Sequence, residues 1–194
     1  MDPFWHRGHL PHFEGGEIPQ AITIRLADSL PVGVLAAREA EIATELASRQ
    51  DEQRREHIQA LLDRGIGVCW LAQPAVAEQV QKALLHFHGT RYWLHAWVIM
   101  PNHVHVLVTP KAEYLLSQLV HTWKSYSAKQ VNRVLGRVGA VWQREYFDRA
   151  IRDERHFTAA VEYVHQNPVK AGLVDRAERW RWSSAWVGGT PTLQ

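Results

Sequence analysis

Two histidines two residues apart, His103 and His105, stand in a run of β-branched residues, Val104 to Val108. Side chains alternate across a strand, so both imidazoles project to one face and Val104, Val106 and Val108 to the other. Two imidazoles on rigid backbone are two metal ligands already positioned. The bland alternative is a pair of structural histidines in a chain that holds 12. A second set of chemically able residues lies near the C-terminus, in Glu162-Tyr163-Val164-His165-Gln166-Asn167-Pro168. Tyr163 and Asn167 are four apart and share a helix face. Asn167 would complete a site of two nitrogens and one oxygen with positions left open for substrate. Tyr163 would then be a nucleophile beside a Lewis acid. A phenol with pKa about 10 is weak at neutral pH, and needs such help to attack phosphorus.

The elements that must position these groups follow from periodicity. Trp97 to Met100 and His103 to Thr109 flank the turn dipeptide Pro101-Asn102, which predicts a β-hairpin whose first strand begins near Tyr92. Ala21 to Leu26 alternates and predicts an earlier strand. Val34 to Leu62 has a helical period, closed by Gly65 and Gly67, and Pro74 marks the start of another helix. Cys69-Trp70-Leu71 reads as a short buried piece, a candidate for a further strand. Tyr114 to Leu135 predicts a helix with Leu115, Leu116, Leu119, Val120, Trp123, Val131 and Val134 toward the core. Tyr146 to Arg152 predicts the fourth strand. Asp153 is a good N-cap for a last helix that ends near Gln166, because Pro168 disfavours helix in the residue before it. Residues 1–19, rich in His, Gly and Pro, predict an irregular arm. The tail around Trp180, Trp182 and Trp186 predicts a strap over the core. With its helical insert at 34–90 set aside, the order is β-α-β-β-α-β plus a terminal helix. This is an α+β fold of the ferredoxin-like type with an antiparallel sheet, the terminal helix carrying Tyr163, the candidate catalytic residue.

Composition bounds the function. At 194 residues, 46% hydrophobic and 22% charged, the chain fits one globular domain over 1–194, with 175–194 as a tail. Net charge is +2, so the whole molecule does not announce a polyanion partner. One cysteine, Cys69, rules out an intrachain disulfide. No signal-peptide core or membrane span is apparent, and a cytoplasmic location is expected. Charge is nonetheless uneven. Lys129, Arg133 and Arg137 are spaced by four on one predicted helix, with Lys124 close by, and basic residues outnumber acidic ones from Lys124 to Arg155.

Five segments carry a resemblance: Gly8 to Phe13, Ala96 to His105 (AWVIMPNHVH), Val141 to Arg152 (VWQREYFDRAIR), Glu162 to Val174 (EYVHQNPVKAGLV) and Trp182-Ser183-Ser184-Ala185. In that order and spacing the chain resembles the single-tyrosine HUH transposases, on the REP-associated branch. The resemblance implies that His103 and His105 are metal ligands and that Asn167 is the third, with Gln166 taking its place if the helix register differs. It implies Mg²⁺ or Mn²⁺ as cofactor, although two imidazoles suit a softer ion. Tyr163 would cut single-stranded DNA at hairpin-forming repeats, keep the 5′-phosphate as a phosphotyrosine and release a 3′-hydroxyl. Lys124, Lys129, Arg133, Arg137, Arg149, Arg152 and Lys170 would follow the phosphates. Tyr126 could stack a base, whereas Trp123 and Trp142 fit core packing better. A palindrome-binding protein without turnover, and a metallohydrolase using the His pair and a water, are the competing readings. Homodimer and monomer both stay open.

Overall fold

In the computed structural model, residues 4–6, 11–13, 16–29, 58 and 60–188 are described. Four strands form one antiparallel sheet: β3 (Gln20–Arg25), β4 (Tyr92–Ile99), β5 (His103–Pro110) and β6 (Phe147–Ala150), in the order β4-β5-β3-β6. The crossover helices are α1 (Pro74–Leu85) and α2 (Leu116–Val134), and α3 (Glu154–Lys170) follows β6. This is the expected ferredoxin-like order in an α+β fold.

Alternation along the strands builds two layers. Ile22, Ile24, Val104, Val106, Val108 and Trp97 face α1 and α2, where they form the main core with Leu84, Val120 and Trp123. The opposite face presents Val98, Leu107 and Ala96 to Val164 of α3. The register places Thr23 directly across from His105 and Arg25 across from His103. The His pair therefore lies on the α3 face, as the spacing of two requires.

Trp123 and Trp142 are core residues. Trp123 Nε1 donates to Tyr92 Oη at 2.9 Å and Trp142 Nε1 to Ser127 Oγ at 2.9 Å, so neither ring is open to a base. The tail acts as a strap. It runs along the outer edge of β4, with Ile99 N donating to Trp182 O at 2.8 Å, Ser184 N to Trp97 O at 2.9 Å and Trp180 Nε1 to Ile99 O at 3.0 Å. Ser184 Oγ accepts from Trp97 N and meets His165 Nε2 of α3 at 2.9 Å. Edge-strand groups that would otherwise seek partners are thereby satisfied.

Several expectations are corrected. α3 does not stop before Pro168 but continues to Lys170. The proline costs one hydrogen bond, to the Val164 carbonyl. The Asn167 side chain adds one next to it, donating to Tyr163 O at 3.2 Å. The stop signal is Gly172, at φ 69°, with Leu173 N to Pro168 O and Gly172 N to Val169 O, both 2.9 Å, closing a Schellman turn. Residues 70–72 form a 3-10 turn, not a strand. Leu115 and Val134, assigned to the core face of α2, are exposed, because α2 starts after Leu115 and ends at Val134. The supposedly irregular arm contains a short ladder, β1 (Phe4–His6) with β2 (Pro11–Phe13). Aromatic residues on both sides of Gly8 supply the β-propensity that the glycine and proline content obscured. Most of the helix expected at 34–62 lies outside the described residues; residues 60–63 are helical. Within the 34–90 stretch, α1 is the crossover helix of the core itself.

Candidate active site

The two imidazoles are buried, His103 at 0% and His105 at 3% exposure. Their Nε2 atoms are 3.0 Å apart. Each Nδ1 is held from behind. His103 Nδ1 lies 2.7 Å from Asn102 Oδ1, and Asn102 spends its amide hydrogens on Leu62 O (3.1 Å) and Ile66 O (3.2 Å). The Asn102 oxygen must therefore accept, so His103 carries its proton on Nδ1 and turns a lone pair at Nε2 toward His105. His105 Nε2–H donates across the 3.0 Å gap, and its Nδ1, 2.9 Å from Thr23 Oγ1, accepts from the hydroxyl. Moving the His105 proton to Nδ1, with Thr23 turning to accept it, would leave both Nε2 lone pairs free. Such outer hydrogen bonds orient metal-ligating histidines.

Burial also fixes the charge state. Desolvation, aided by His105 and Arg25 nearby, holds His103 well below the usual imidazole range. Desolvation alone lowers His105 to about 3. Both rings are neutral at pH 7, the state a ligand needs. Nitrogens bonded at about 2.1 Å in adjacent octahedral positions stand about 3.0 Å apart, against about 3.4 Å in a tetrahedron. The observed gap is that of the hydrogen bond between the rings, and it is short enough for both nitrogens to reach one ion once that proton has moved. Among the described residues no three His, Cys, Asp or Glu side chains are grouped to hold a metal. An ion here would need a further oxygen donor, for which the amide of Asn167 is available in chemistry.

Tyr163 meets this pair from α3. Its ring packs edge-on against His105 with centroids 5.3 Å apart, and Lys170 Nζ lies 5.1 Å from the centroid of the Tyr163 ring. Burial pushes the Tyr163 phenol up to about 12; the Asn167 amide works the other way, and the charge of Asp63 adds to the rise. Tyr163 keeps 37% exposure, while Asn167 is 1% exposed. The arrangement is a partly exposed, protonated phenol packed against two buried, neutral imidazoles.

The basic residues divide between the layers. Arg149 lies on the α3 face, in register with Ala21, and Arg149, Arg152 and Lys170 are exposed. Lys129 and Arg133 lie on α2, in the layer across the sheet from the histidines, whereas Arg137, expected on the same helix stripe, falls past the helix end at Val134. Lys124 Nζ binds the carbonyls of Gln143 and Arg144, both at 2.7 Å. Arg137 lies over the Trp70 ring at 4.0 Å. These two cations already serve the fold. Gln166 lines a different cavity, of about 370 Å³, with Phe157, His165 and Glu178.

Sequence reasoning missed Thr23, Arg25 and Asp63. Asp63 Oδ1 is 3.9 Å from His103 Nε2. Strand pairing alone brings Thr23 and Arg25 to the site, and the position of Asp63 depends on a turn whose glycines were read only as helix terminators.

The family model described as "Transposase IS200 like" matches residues 73–167. The chain is 30% identical over 92 residues to the REP-associated tyrosine transposase of Escherichia coli (strain K12), covering 47% of this chain and 53% of that protein. It is 29% identical over 96 residues to a putative REP-associated tyrosine transposase of Haemophilus influenzae, covering 44% and 54%. The chain thus spans about half the length of the curated relatives it matches. A solved REP-associated tyrosine transposase, bound to a REP hairpin, superposes with a TM-score of 0.59 at 18% identity, over 91% of this chain and 81% of that one, a likeness of fold. Residues 73–167 thus carry a likeness to the IS200-like transposases, and the relatives the chain resembles there are REP-associated tyrosine transposases.

Proposed function

We propose that this chain is a transposase that cleaves and rejoins single-stranded DNA at hairpin-forming repeats, with Tyr163 as nucleophile and Mg²⁺ or Mn²⁺ as cofactor. The observation that carries the reading is the contact of the Tyr163 ring with His105, whose Nε2 is 3.0 Å from that of His103. His103, His105 and Asn167 would hold the cation, which when bound would polarise the scissile phosphate and offset the charge that builds there.

Tyr163 supplies the oxygen. Its Oη attacks phosphorus, the new O–P bond forms, and the bond to the 3′-oxygen breaks. The phenolic proton is lost and the leaving oxygen is protonated to a 3′-hydroxyl. The 5′-phosphate stays on Tyr163 as a diester, so a 3′-hydroxyl can reverse the attack and rejoin strands without an external energy source. With its pKa raised to about 12, Tyr163 is a phenol at neutral pH, and a cation held beside it would favour loss of the proton. The Asn167 amide favours the phenolate and so eases the proton loss. Arg149 and Lys170 are cations on the site side that would meet the cut strand's phosphates, and Arg152, exposed just ahead of α3, would add to them. Lys129 and Arg133 would meet a more distant part of the hairpin. No described helix is long and apolar enough to cross a membrane.

The test is a denaturing gel of hairpin-containing single strands drawn from the flanks of the gene, with Mg²⁺ or Mn²⁺. The expected result is a protein–DNA adduct that disappears in Tyr163→Phe, in His103→Ala and with chelator. Tight binding without an adduct across several hairpins and both ions would favour a palindrome-binding protein. Cleavage surviving in Tyr163→Phe would favour a water-using metallohydrolase.

A further inference from the structure

The turn ahead of the hairpin brings a carboxylate to the imidazole pair. Asp63 ends the helical residues 60–63, and its Oδ1 stands 3.9 Å from His103 Nε2 with the carboxylate 22% exposed. His103 is neutral, so this approach is not an ion pair. The turn is fixed to the hairpin by one buried amide. Asn102 donates to Leu62 O and Ile66 O, the carbonyls on either side of Asp63, while its oxygen takes the Nδ1 proton of His103. Gly65 and Gly67 turn the chain at φ 65° and 84°, and a Cβ at Gly67 would collide with the carbonyl oxygens of Asp28 and Ser29. One amide therefore aligns an imidazole and sets the turn that carries a carboxylate.

Donor chemistry gives this carboxylate a task. Two imidazoles and an amide are three neutral donors. Mg²⁺ and Mn²⁺ favour anionic oxygen, whereas imidazoles alone favour softer ions. Two donors bonded to one ion at about 2.1 Å stand between about 3.0 Å apart when adjacent and about 4.2 Å when opposite. The 3.0 Å between the histidines is here a hydrogen bond, and the 3.9 Å from Asp63 Oδ1 to His103 Nε2 brings the carboxylate to the edge of the same space. We infer that Asp63 supplies the anionic oxygen that makes the His103–His105 pair selective for a hard divalent cation. This rests on the reading that the pair holds a cation at all. Asp63 is not gathered with the histidines into a metal-holding set in this structure, so the inference requires its side chain to turn toward the ion and away from the contacts it now makes.

The experiment is metal binding by the full chain, without DNA. Mn²⁺ is followed by the loss of the free-ion electron paramagnetic resonance signal, and Zn²⁺ by competition with a chelating dye. Asp63→Asn should weaken Mn²⁺ binding at least tenfold and Zn²⁺ binding less than threefold, and Asp63→Glu should restore part of the Mn²⁺ affinity. His103→Ala should lose both ions. Wild-type Mn²⁺ affinity in Asp63→Asn, with loss in His103→Ala, overturns the role of Asp63 and leaves the cation site standing. Full Mn²⁺ affinity in His103→Ala overturns the cation reading and this inference with it. An equal fall for both ions in Asp63→Asn, with a lower melting temperature in chelator, makes Asp63 structural and also overturns the inference.

Discussion

Acid should unfold this protein through its own imidazole pair. His103 and His105 are buried and neutral in the folded chain, His105 with a pKa of about 3 and His103 held well below the ordinary value. In the unfolded chain both return to about 6.5. Folded values below unfolded ones mean that the unfolded state binds more protons as pH falls. The stability tied to the pair is thus complete above pH 6.5 and is lost on acidification, down to about pH 3 for His105. At pH 5 an unfolded imidazole with pKa about 6.5 gains about 2 kcal/mol from its proton, while the folded ring gains almost nothing, so the pair costs about 4 kcal/mol. A domain of this size has about 5–15 kcal/mol to lose. The assay is urea denaturation at pH 7.5 and pH 5 with chelator present, on wild type and His105→Gln. Wild type should lose about 2 kcal/mol more than the variant between the two pH values. A difference under about 0.5 kcal/mol would mean that the ring is already solvated or charged when folded, and would refute the reasoning.

Further outcomes are expected from the same framework. Asn102→Ala removes two amide donors from buried carbonyls and the acceptor of His103 Nδ1; denaturant melts should show a loss of about 2–4 kcal/mol. Gly67→Ala should lower stability by about 1–3 kcal/mol in the same assay, since its φ of 84° disfavours any side chain and the Cβ meets backbone oxygens. Asp153 accepts from His156 N at 2.8 Å at the start of α3, so Asp153→Ala should cost about 1 kcal/mol by thermal melting without weakening Mn²⁺ binding. Thr23→Val leaves His105 Nδ1 without its hydroxyl; Mn²⁺ affinity should fall about tenfold in a binding titration while the fold persists.

What could be read from sequence was what repeats locally. Alternation gave the hairpin, placed both histidines on one face, and put Val104, Val106 and Val108 on the other, all as the structure has them. The spacing of four put Tyr163 and Asn167 on the same side of a helix, and the aromatic tail did pack as a strap. What could not be read were relations set by register and by tight turns. Asn102 looked like an ordinary turn residue, because its bonds reach back 36 and 40 positions. The basic stripe of α2 was visible, but a helix pattern does not say which sheet face the helix covers; it covers the one away from the histidines. Pro168 misled because proline was weighed as a helix stop, whereas near a helix end it removes one hydrogen bond and the glycine beyond it sets the boundary.

The strap along β4 has a consequence for how mutants of this protein are interpreted. Trp180 and Ser184 occupy hydrogen-bonding positions that another polypeptide strand could take, and β4 lies next to the strand that carries the histidines. A variant that loosens the strap would leave a bare edge able to recruit the same edge of a second copy, so the defect would surface as self-association. A screen scoring only DNA processing would then group Trp180 and Ser184 with the residues proposed to act on the phosphate. Sedimentation would separate the two classes: inactive Tyr163 variants would keep their size in solution, while strap variants would lose activity by leaving solution as aggregates.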